Sequence, residues 1–171
     1  MLTTSTITTS TRITPDFVCN NSVCNCLDSS SFYSTSQNKC LKCRNGWTPF
    51  RNICYQVFTT LRSWSNSVGH CNSLNSSLLL AEDDEKFNYF KLISKNLTSI
   101  SSNQRTWVNA QYTSLNVFQW INGNTINPSF IMSLADKSNV PCCFAYYTIP
   151  SSLLGIYSCT QSSNGICEYT E

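Results

Sequence analysis

The sequence carries little charge for its length. Only 12% of its 171 residues are Asp, Glu, Lys or Arg, and the formal net charge is +2, whereas soluble domains average roughly 25% charged residues. The basic residues are scattered singly along the chain. This pattern excludes an electrostatic case for nucleic-acid binding, and it leaves no polybasic patch for an anionic membrane surface.

Long hydrophobic runs and catalytic residue types are also scarce. The longest aliphatic run is Leu78–Ala81, far short of the roughly 20 apolar residues of a transmembrane helix. His70 is the only histidine, and the five glycines are dispersed, so they form no phosphate-binding loop. The acidic run Glu82–Glu85 indicates a helix N-terminus more than a catalytic cluster. We therefore expect no enzyme, no metal site and no cofactor.

Cysteine, in contrast, is abundant. Eleven cysteines are spread through the whole chain, which indicates disulfides and an oxidising, extracellular compartment. The spacings Cys24-x-Cys26 and Cys40-x2-Cys43 could also suit a zinc ribbon. The single histidine and the wide spread of the cysteines favour disulfides instead.

Two further features bear on the compartment. Sequons that begin at Asn20, Asn75 and Asn96 are possible N-glycosylation sites. The opening MLTTSTITTS has neither the basic nor the apolar region of a signal peptide. We therefore expect the chain to be a piece of a longer protein that is secreted or anchored in a membrane.

Three parts of the chain can be distinguished by composition. Residues 1–18 are predicted to be a Ser/Thr-rich linker or stalk, because they hold too few apolar residues to offset their ordering entropy. Residues 19–42 are predicted to be a small cysteine-rich segment that resembles part of an epidermal-growth-factor-like (EGF-like) module. Its four cysteines allow three pairings, of which we favour Cys19–Cys24 and Cys26–Cys40. Residues 43–171 form the predicted main domain.

The main domain begins with a predicted hairpin. In CRNGWTPFRNICYQVF the turn falls at Arg51–Asn52 and Pro49 interrupts the first strand. Cys43 and Cys54 could close this hairpin covalently.

Two predicted helices and then short strands with long loops follow the hairpin. Each helix presents one apolar face at spacings of three and four residues. The faces consist of Leu61, Trp64, Val68 and Cys71 in the first helix, and of Phe87, Phe90, Ile93 and Leu97 in the second.

Residues 43–169 resemble a C-type lectin-like domain. Trp64 with Cys71 resembles the family's first helix, and residues 107–110 (Trp-Val-Asn-Ala) occupy the place of its Trp-Ile-Gly-Leu core motif. The other matching positions are Gly46-Trp47 and Tyr55 around the cysteines of the hairpin, Phe118, Trp120, Gly123, Cys143, Cys159 and Ile166-Cys167-Glu168.

The resemblance implies both a fold and a set of disulfides. The fold is α+β, with two helices flanking short antiparallel sheets and a long loop that usually carries the ligand. The implied disulfides are Cys43–Cys54, Cys71–Cys167 and Cys143–Cys159.

Members of this family that bind sugar through calcium use two motifs that are missing here. The place of Trp-Asn-Asp holds Leu154-Gly155-Ile156, and the place of the proline-containing loop motif falls near Leu134-Ala135-Asp136. Asp136 is the only carboxylate from Phe87 through Cys167. Calcium takes about 6–8 oxygen ligands. The sequence therefore predicts that ligand binding does not depend on calcium.

We expect an extracellular module that recognises a protein or another surface ligand. The predicted contact region is the loop 127–141, where an exposed Phe-Ile-Met run beside a charged pair would resemble a binding hot spot. Its residues are Phe130, Ile131, Met132, Asp136 and Lys137. The alternative is that the apolar run folds back into the core.

Two other functions remain open at this point. One is calcium-independent glycan binding, which would need Tyr146, Tyr147 or Trp120 exposed beside amide groups. The other is a structural spacer in a larger extracellular protein.

The adjacent residues Cys142 and Cys143 would point to opposite faces of a strand. The order Cys143-Phe144-Ala145-Tyr146 fits the alternation of the family's strand, so we assign Cys143 to the bond with Cys159. Cys142 then stays outside the disulfides. It is either buried or available for an intermolecular disulfide that would give a dimer.

Overall fold

The protein's computed structural model describes residues 16–20, 23–100, 105–112, 118–132, 142–147 and 153–170. Within these ranges the chain forms two short hairpins, followed by an eight-stranded sheet and two α-helices. The α+β prediction is therefore confirmed. No helix in the described ranges is long and apolar enough to cross a membrane.

The cysteine-rich segment consists of two antiparallel hairpins. Strands β1 (Phe17–Asn20) and β2 (Val23–Cys26) form one, and β3 (Ser31–Ser34) and β4 (Lys39–Lys42) form the other. Since β1 begins inside the predicted linker 1–18, that boundary was placed too late; residues 1–15 lie outside the described ranges.

Aromatic contacts connect this segment internally and to the main domain. The rings of Phe17 and Tyr33 lie 4.7 Å apart between the two hairpins. Phe32 is buried against Cys54 and Tyr169 of the main domain. The segment is therefore packed on the main domain as well as stapled by disulfides.

The main sheet has β8 and β12 at its centre. Its strands are β5 (Thr48–Phe50), β6 (Ile53–Arg62), β7 (Ser77–Leu78), β8 (Arg105–Tyr112), β9 (Gln119–Trp120), β10 (Cys142–Tyr147), β11 (Leu153–Ser158) and β12 (Ser163–Tyr169). Their order is β11-β10-β8-β12-β6-β5, with β7 beside β12 and β9 beside β8. The pair β8–β12 is parallel, whereas the outer pairs β10–β11 and β5–β6 are antiparallel.

The predicted hairpin is present as β5 and β6. Phe50 pairs with Ile53, and Arg51 adopts a φ of 54° at the tip. The expectation that Pro49 interrupts the first strand is wrong, because Pro49 pairs with Cys54 inside β5. β5 is an edge strand, and a residue without an N–H group is tolerated at a sheet edge.

Helix α1 (Trp64–Ser73) begins after Ser63, whose hydroxyl accepts a hydrogen bond from the Asn66 N–H at 3.3 Å. Trp64 and Cys71 are buried as predicted. The prediction that Leu61 shares their helical face is wrong. Leu61 lies in β6 and is exposed, because the ladder between β6 and β12 continues to Arg62.

Helix α2 (Asp84–Ile100) has the acidic start and the apolar face that the sequence predicts. Asp83 accepts a hydrogen bond from the Lys86 N–H at 2.8 Å and so caps one donor of the first turn. The buried face contains Phe87, Phe90 and Leu97, and Ile93 packs partly buried beside them.

The sheet separates two hydrophobic clusters. Side chains alternate along a strand, so Val108 and Ala110 of β8 enter the cluster that contains Phe87 and Phe90 of α2. Trp107 points to the other side, into the cluster that contains Trp64 of α1. Both cores are therefore built around the same central strand.

Candidate functional site

The apolar run of the predicted ligand loop is packed into the core. Pro128–Phe130 forms a 3-10 turn capped by the Asn127 side chain, which accepts a hydrogen bond from the Ser129 N–H at 3.0 Å. This turn directs Phe130 inward, where its ring stacks on Phe87 at 3.8 Å and is only 5% exposed.

The next two residues are held by β11. Ile131 packs against the core beside Phe130, and the Met132 N–H donates to the Leu154 carbonyl at 2.9 Å. The prediction of an exposed Phe-Ile-Met hot spot is therefore wrong. Asp136 and Lys137, the charged pair of the same loop, lie outside the described residues.

The residues at the place of the family's Trp-Asn-Asp motif also belong to the core. Leu154, Gly155 and Ile156 are consecutive residues of β11, and all three are buried. Among the described residues, no group of three or more His, Cys, Asp or Glu side chains is arranged to hold a metal ion.

Two of the three aromatic residues considered for glycan binding are buried. Trp120 is 2% exposed and Tyr146 is 0% exposed. The Tyr146 hydroxyl donates to the Phe87 carbonyl at 3.2 Å, and burial raises the pKa of this phenol. Only Tyr147 remains as a half-buried candidate, with its ring 6.1 Å from that of Tyr157.

The Tyr157 ring covers part of the outer face of β10 and β11. The ring lies close over Gly155, where a Cβ would stand 2.6 Å from the Tyr157 hydroxyl oxygen and the ring would have to shift. The Arg105 guanidinium lies 5.1 Å from the ring centre and donates to the Gln161 side-chain oxygen. Burial is the main reason that the pKa of Tyr157 rises to about 12.

A second arginine lies over a second ring. The Arg62 guanidinium is 6.0 Å from the Phe58 ring centre, and Phe58 meets the His70 ring edge-on at 4.9 Å. The Phe58 ring lies close to Gly165: a Cβ added at Gly165 would be 2.1 Å from this ring. Burial, and secondarily the Arg62 charge, lower the pKa of His70.

A cavity of about 380 Å³ lies beside a buried ion pair at the opposite end of the sheet. The Lys86 ammonium is 2.7 Å from a carboxylate oxygen of Glu168, and the other oxygen accepts the Leu80 N–H at 3.0 Å. Burial raises the pKa of Glu168, although Lys86 and the Leu80 N–H oppose the rise. Lys86 and Glu168 therefore neutralise each other in the wall of this cavity.

Five disulfides join ten of the cysteines in the structure. They are Cys19–Cys24, Cys26–Cys40, Cys43–Cys54, Cys71–Cys167 and Cys143–Cys159. This is the pairing that the sequence predicts, and peptide mapping can test it. Cys142, the remaining cysteine, is 1% exposed in the α2-side cluster. This position favours the burial alternative and gives the intermolecular disulfide no support.

The three sequon asparagines are all exposed. Asn20 ends β1, Asn75 adopts a φ of 49° in the turn after α1, and Asn96 lies on α2. Their glycosylation stays a prediction.

Sequence reasoning missed Phe58, Arg62, Arg105 and Tyr157. They lie on three different strands, so no single stretch of sequence contains all four residues. The glycines at 155 and 165 under two of the rings were the one signal available, because glycine within a strand can mark close packing.

Known proteins resemble this chain in sequence. The sequence model of the family described as Lectin C-type domain matches residues 60–169. Killer cell lectin-like receptor subfamily B member 1A of Rattus norvegicus is 28% identical over 120 residues, which cover 70% of this chain and 52% of that protein. NKG2-D type II integral membrane protein of Sus scrofa is 30% identical over 134 residues, covering 73% and 56%. The chain thus spans about half the length of these curated relatives.

Solved structures resemble it in fold. The Ca2+-independent C-type lectin SPL-2 from Saxidomus purpuratus superimposes with a TM-score of 0.60 at 22% identity. The match covers 74% of this chain and 93% of that one. At this identity the likeness establishes the fold alone.

Proposed function

Because the chain belongs to the C-type lectin domain family, we propose that it is an extracellular recognition module that binds a protein ligand without calcium. The observation that carries this proposal is the chemistry of β11. At the place where calcium-dependent relatives would put Trp-Asn-Asp, residues 154–156 are buried and offer no side-chain oxygen. Calcium needs several such oxygens.

A protein ligand fits the described aromatic residues better than a sugar. Trp120 and Tyr146, which could have stacked on a sugar ring, are inside the core. The rat relative is named a receptor and the pig relative an integral membrane protein. A module of this kind would meet its ligand at a cell surface, in the oxidising compartment that five disulfides require.

Calcium independence can be tested by thermal unfolding in millimolar calcium and in excess chelator. A native-state site of micromolar affinity would add about 4 kcal/mol at millimolar calcium, which corresponds to several degrees in melting temperature. We expect no shift. A shift that Asp136→Asn abolishes would contradict the proposal, whereas one lost only when residues 82–85 are changed would indicate a weak site away from β11.

The ligand class can be tested with fluorescent tetramers of the chain applied to cells in chelator. Cells treated with protease should lose tetramer binding, and cells treated with sialidase and peptide N-glycosidase should keep it. The opposite pattern would identify a glycan as the ligand.

Glycan binding without calcium is the second candidate function. The half-buried Tyr147 beside Tyr157, with the Gln161 amide and the Arg105 guanidinium close by, favours it. In that case Tyr147→Ala should abolish retention on a glycan array in chelator while Tyr147→Phe preserves it, since stacking needs the ring and not the hydroxyl.

A further inference from the structure

We propose that the chain contacts an acidic region of its protein ligand through an arginine–aromatic patch formed by Phe58, Arg62, Arg105, Tyr147 and Tyr157. The proposal rests on the proposed function and assigns it a surface. That surface differs from the loop 127–141 that the sequence suggests.

The two arginines are brought together by β12. Arg62 of β6 pairs with Ser163, and the Ser163 hydroxyl donates to the Arg105 carbonyl of β8 at 2.6 Å. Neighbouring strands lie about 4.8 Å apart, so the backbones of Arg62 and Arg105 are roughly 10 Å from each other. Two arginines thus lie on neighbouring parts of the sheet although they are 43 positions apart in sequence.

Each arginine is positioned by an aromatic ring. The distances are 6.0 Å from the Arg62 guanidinium to the Phe58 ring and 5.1 Å from that of Arg105 to the Tyr157 ring. The rings themselves are fixed by their close fit over Gly165 and Gly155. Such preorganisation reduces the side-chain entropy that is lost on binding.

One guanidinium nitrogen of Arg62 is enclosed by the protein, so a ligand could reach this group only through its terminal nitrogens. The enclosed nitrogen is Nε, which is buried and has no hydrogen-bond partner among the described residues. His70, which contacts the same Phe58 ring, has a lowered pKa and is neutral at pH 7. The positive charge on this side of the patch therefore comes from Arg62.

The carboxylates whose contacts the structure gives lie elsewhere and are engaged there. Their contacts are Asp28 with Lys42, Glu82 with Asn122 and Asn124, Asp83 and Glu85 with Arg51, and Glu168 with Lys86. None of these contacts involves Arg62 or Arg105. A partner with acidic residues would be complementary to the patch.

The residue types of the patch suit a protein ligand. Arg and Tyr are among the residue types enriched at protein-binding hot spots, and all five patch residues are partly exposed. We therefore assign the patch to an acidic protein surface.

The patch can be tested with immobilised poly-L-glutamate as the probe and the full chain as analyte, at low and at physiological salt. The test variant is Arg62→Gln/Arg105→Gln. The matched control is Lys39→Gln/Lys91→Gln, which removes the same charge from β4 and α2. The substitutions spare the backbone carbonyls of Arg62 and Arg105 that accept the Trp107 and Ser163 hydrogen bonds, and thermal unfolding of each variant checks the fold.

We expect the arginine variant to lose about tenfold or more in affinity, since each charged contact contributes of the order of 1 kcal/mol. The control variant should lose less than threefold, and Arg62→Lys/Arg105→Lys should retain most of the binding. Equal losses in the arginine and control variants would overturn the proposal, because binding would then follow net charge alone.

Sialyllactose and lactose form a parallel arm of the same experiment. Binding of sialyllactose without poly-L-glutamate would overturn the acidic-protein assignment and point to an anionic glycan. The tetramer assay on cells is independent of both probes. If cell binding is protease-sensitive in chelator but unchanged in the arginine variant, the patch is wrong while the proposed function stands.

Discussion

Replacing Lys86 by Met would break the ion pair that joins α2 to β12. The side chains of Lys86 and Glu168 are 14% and 7% exposed, and their charged atoms lie 2.7 Å apart. Without the ammonium, the Glu168 carboxylate would keep only the Leu80 N–H as its described donor. Removing one partner of a buried pair costs about 3–5 kcal/mol. We expect the loss of unfolding free energy at pH 7 to lie at the lower end of this range, because the pair is not completely buried.

The loss should depend on pH in a definite direction. The pKa of Glu168 is already raised in the folded state, and removing Lys86 takes away the largest influence that lowers it. A carboxyl whose folded pKa lies above its unfolded value costs stability when it ionises, so its penalty appears as pH rises through that window. The destabilisation by Lys86→Met should therefore be largest at neutral pH and shrink as pH falls toward about 4.

Thermal unfolding from pH 4 to pH 8 measures both effects. A loss of about 3 kcal/mol corresponds to roughly 6–12 °C for a chain of this size. Lys91→Met on the same helix is the control and should change the melting temperature by less than about 2 °C. The double variant Lys86→Met/Glu168→Gln should recover part of the loss, because the amide is neutral and still accepts the Leu80 N–H. A loss that is equal at pH 4 and pH 8, or no recovery in the double variant, would refute the reasoning.

Three further predictions concern packing and the cysteines. In a denaturant titration, Gly165→Ala should lower the free energy of unfolding by about 1–3 kcal/mol, because the added Cβ would overlap the Phe58 ring. Gly69→Ala in α1 is the control: its Cβ would meet no atom within 4 Å, so the change should be neutral or stabilising. Phe130→Ala should cost about 3 kcal/mol by thermal unfolding, against less than about 0.5 kcal/mol for the exposed Ile121→Ala; equal effects would place Phe130 at the surface. Non-reducing peptide mapping should yield a Cys143–Cys159 peptide and no disulfide-linked dimer, and a Cys142–Cys159 peptide would reverse the assignment.

The sequence predicts best those features that depend on neighbouring residues. The apolar spacing of Phe87, Phe90 and Leu97 and the acidic start of α2 are local, and both are present. Leu61 fitted the same kind of pattern but lies in a strand, because β6 continues to Arg62, which pairs with the distant residue Ser163 of β12. Local periodicity cannot detect such tertiary pairing.

The candidate site was less predictable for the same reason. The inward turn of Phe130 depends on its stacking partner Phe87, and the two are 43 positions apart (130 − 87 = 43). The arginine–aromatic patch draws its five residues from β6, β8, β10 and β11. No short motif contains this patch, so only the assembled sheet reveals it.

The position of β12 has a consequence for how the chain is made. This strand lies between β6 and β8 in the middle of the sheet, although it follows every other strand in sequence. A ribosome adding about 5–20 residues per second needs roughly 5–20 s to pass from the end of β6 to β12. Throughout that interval β6 presents an open edge where its central partner will later insert. The sheet should therefore close only after β12 has been synthesised, and slowly, because its central contacts are non-local.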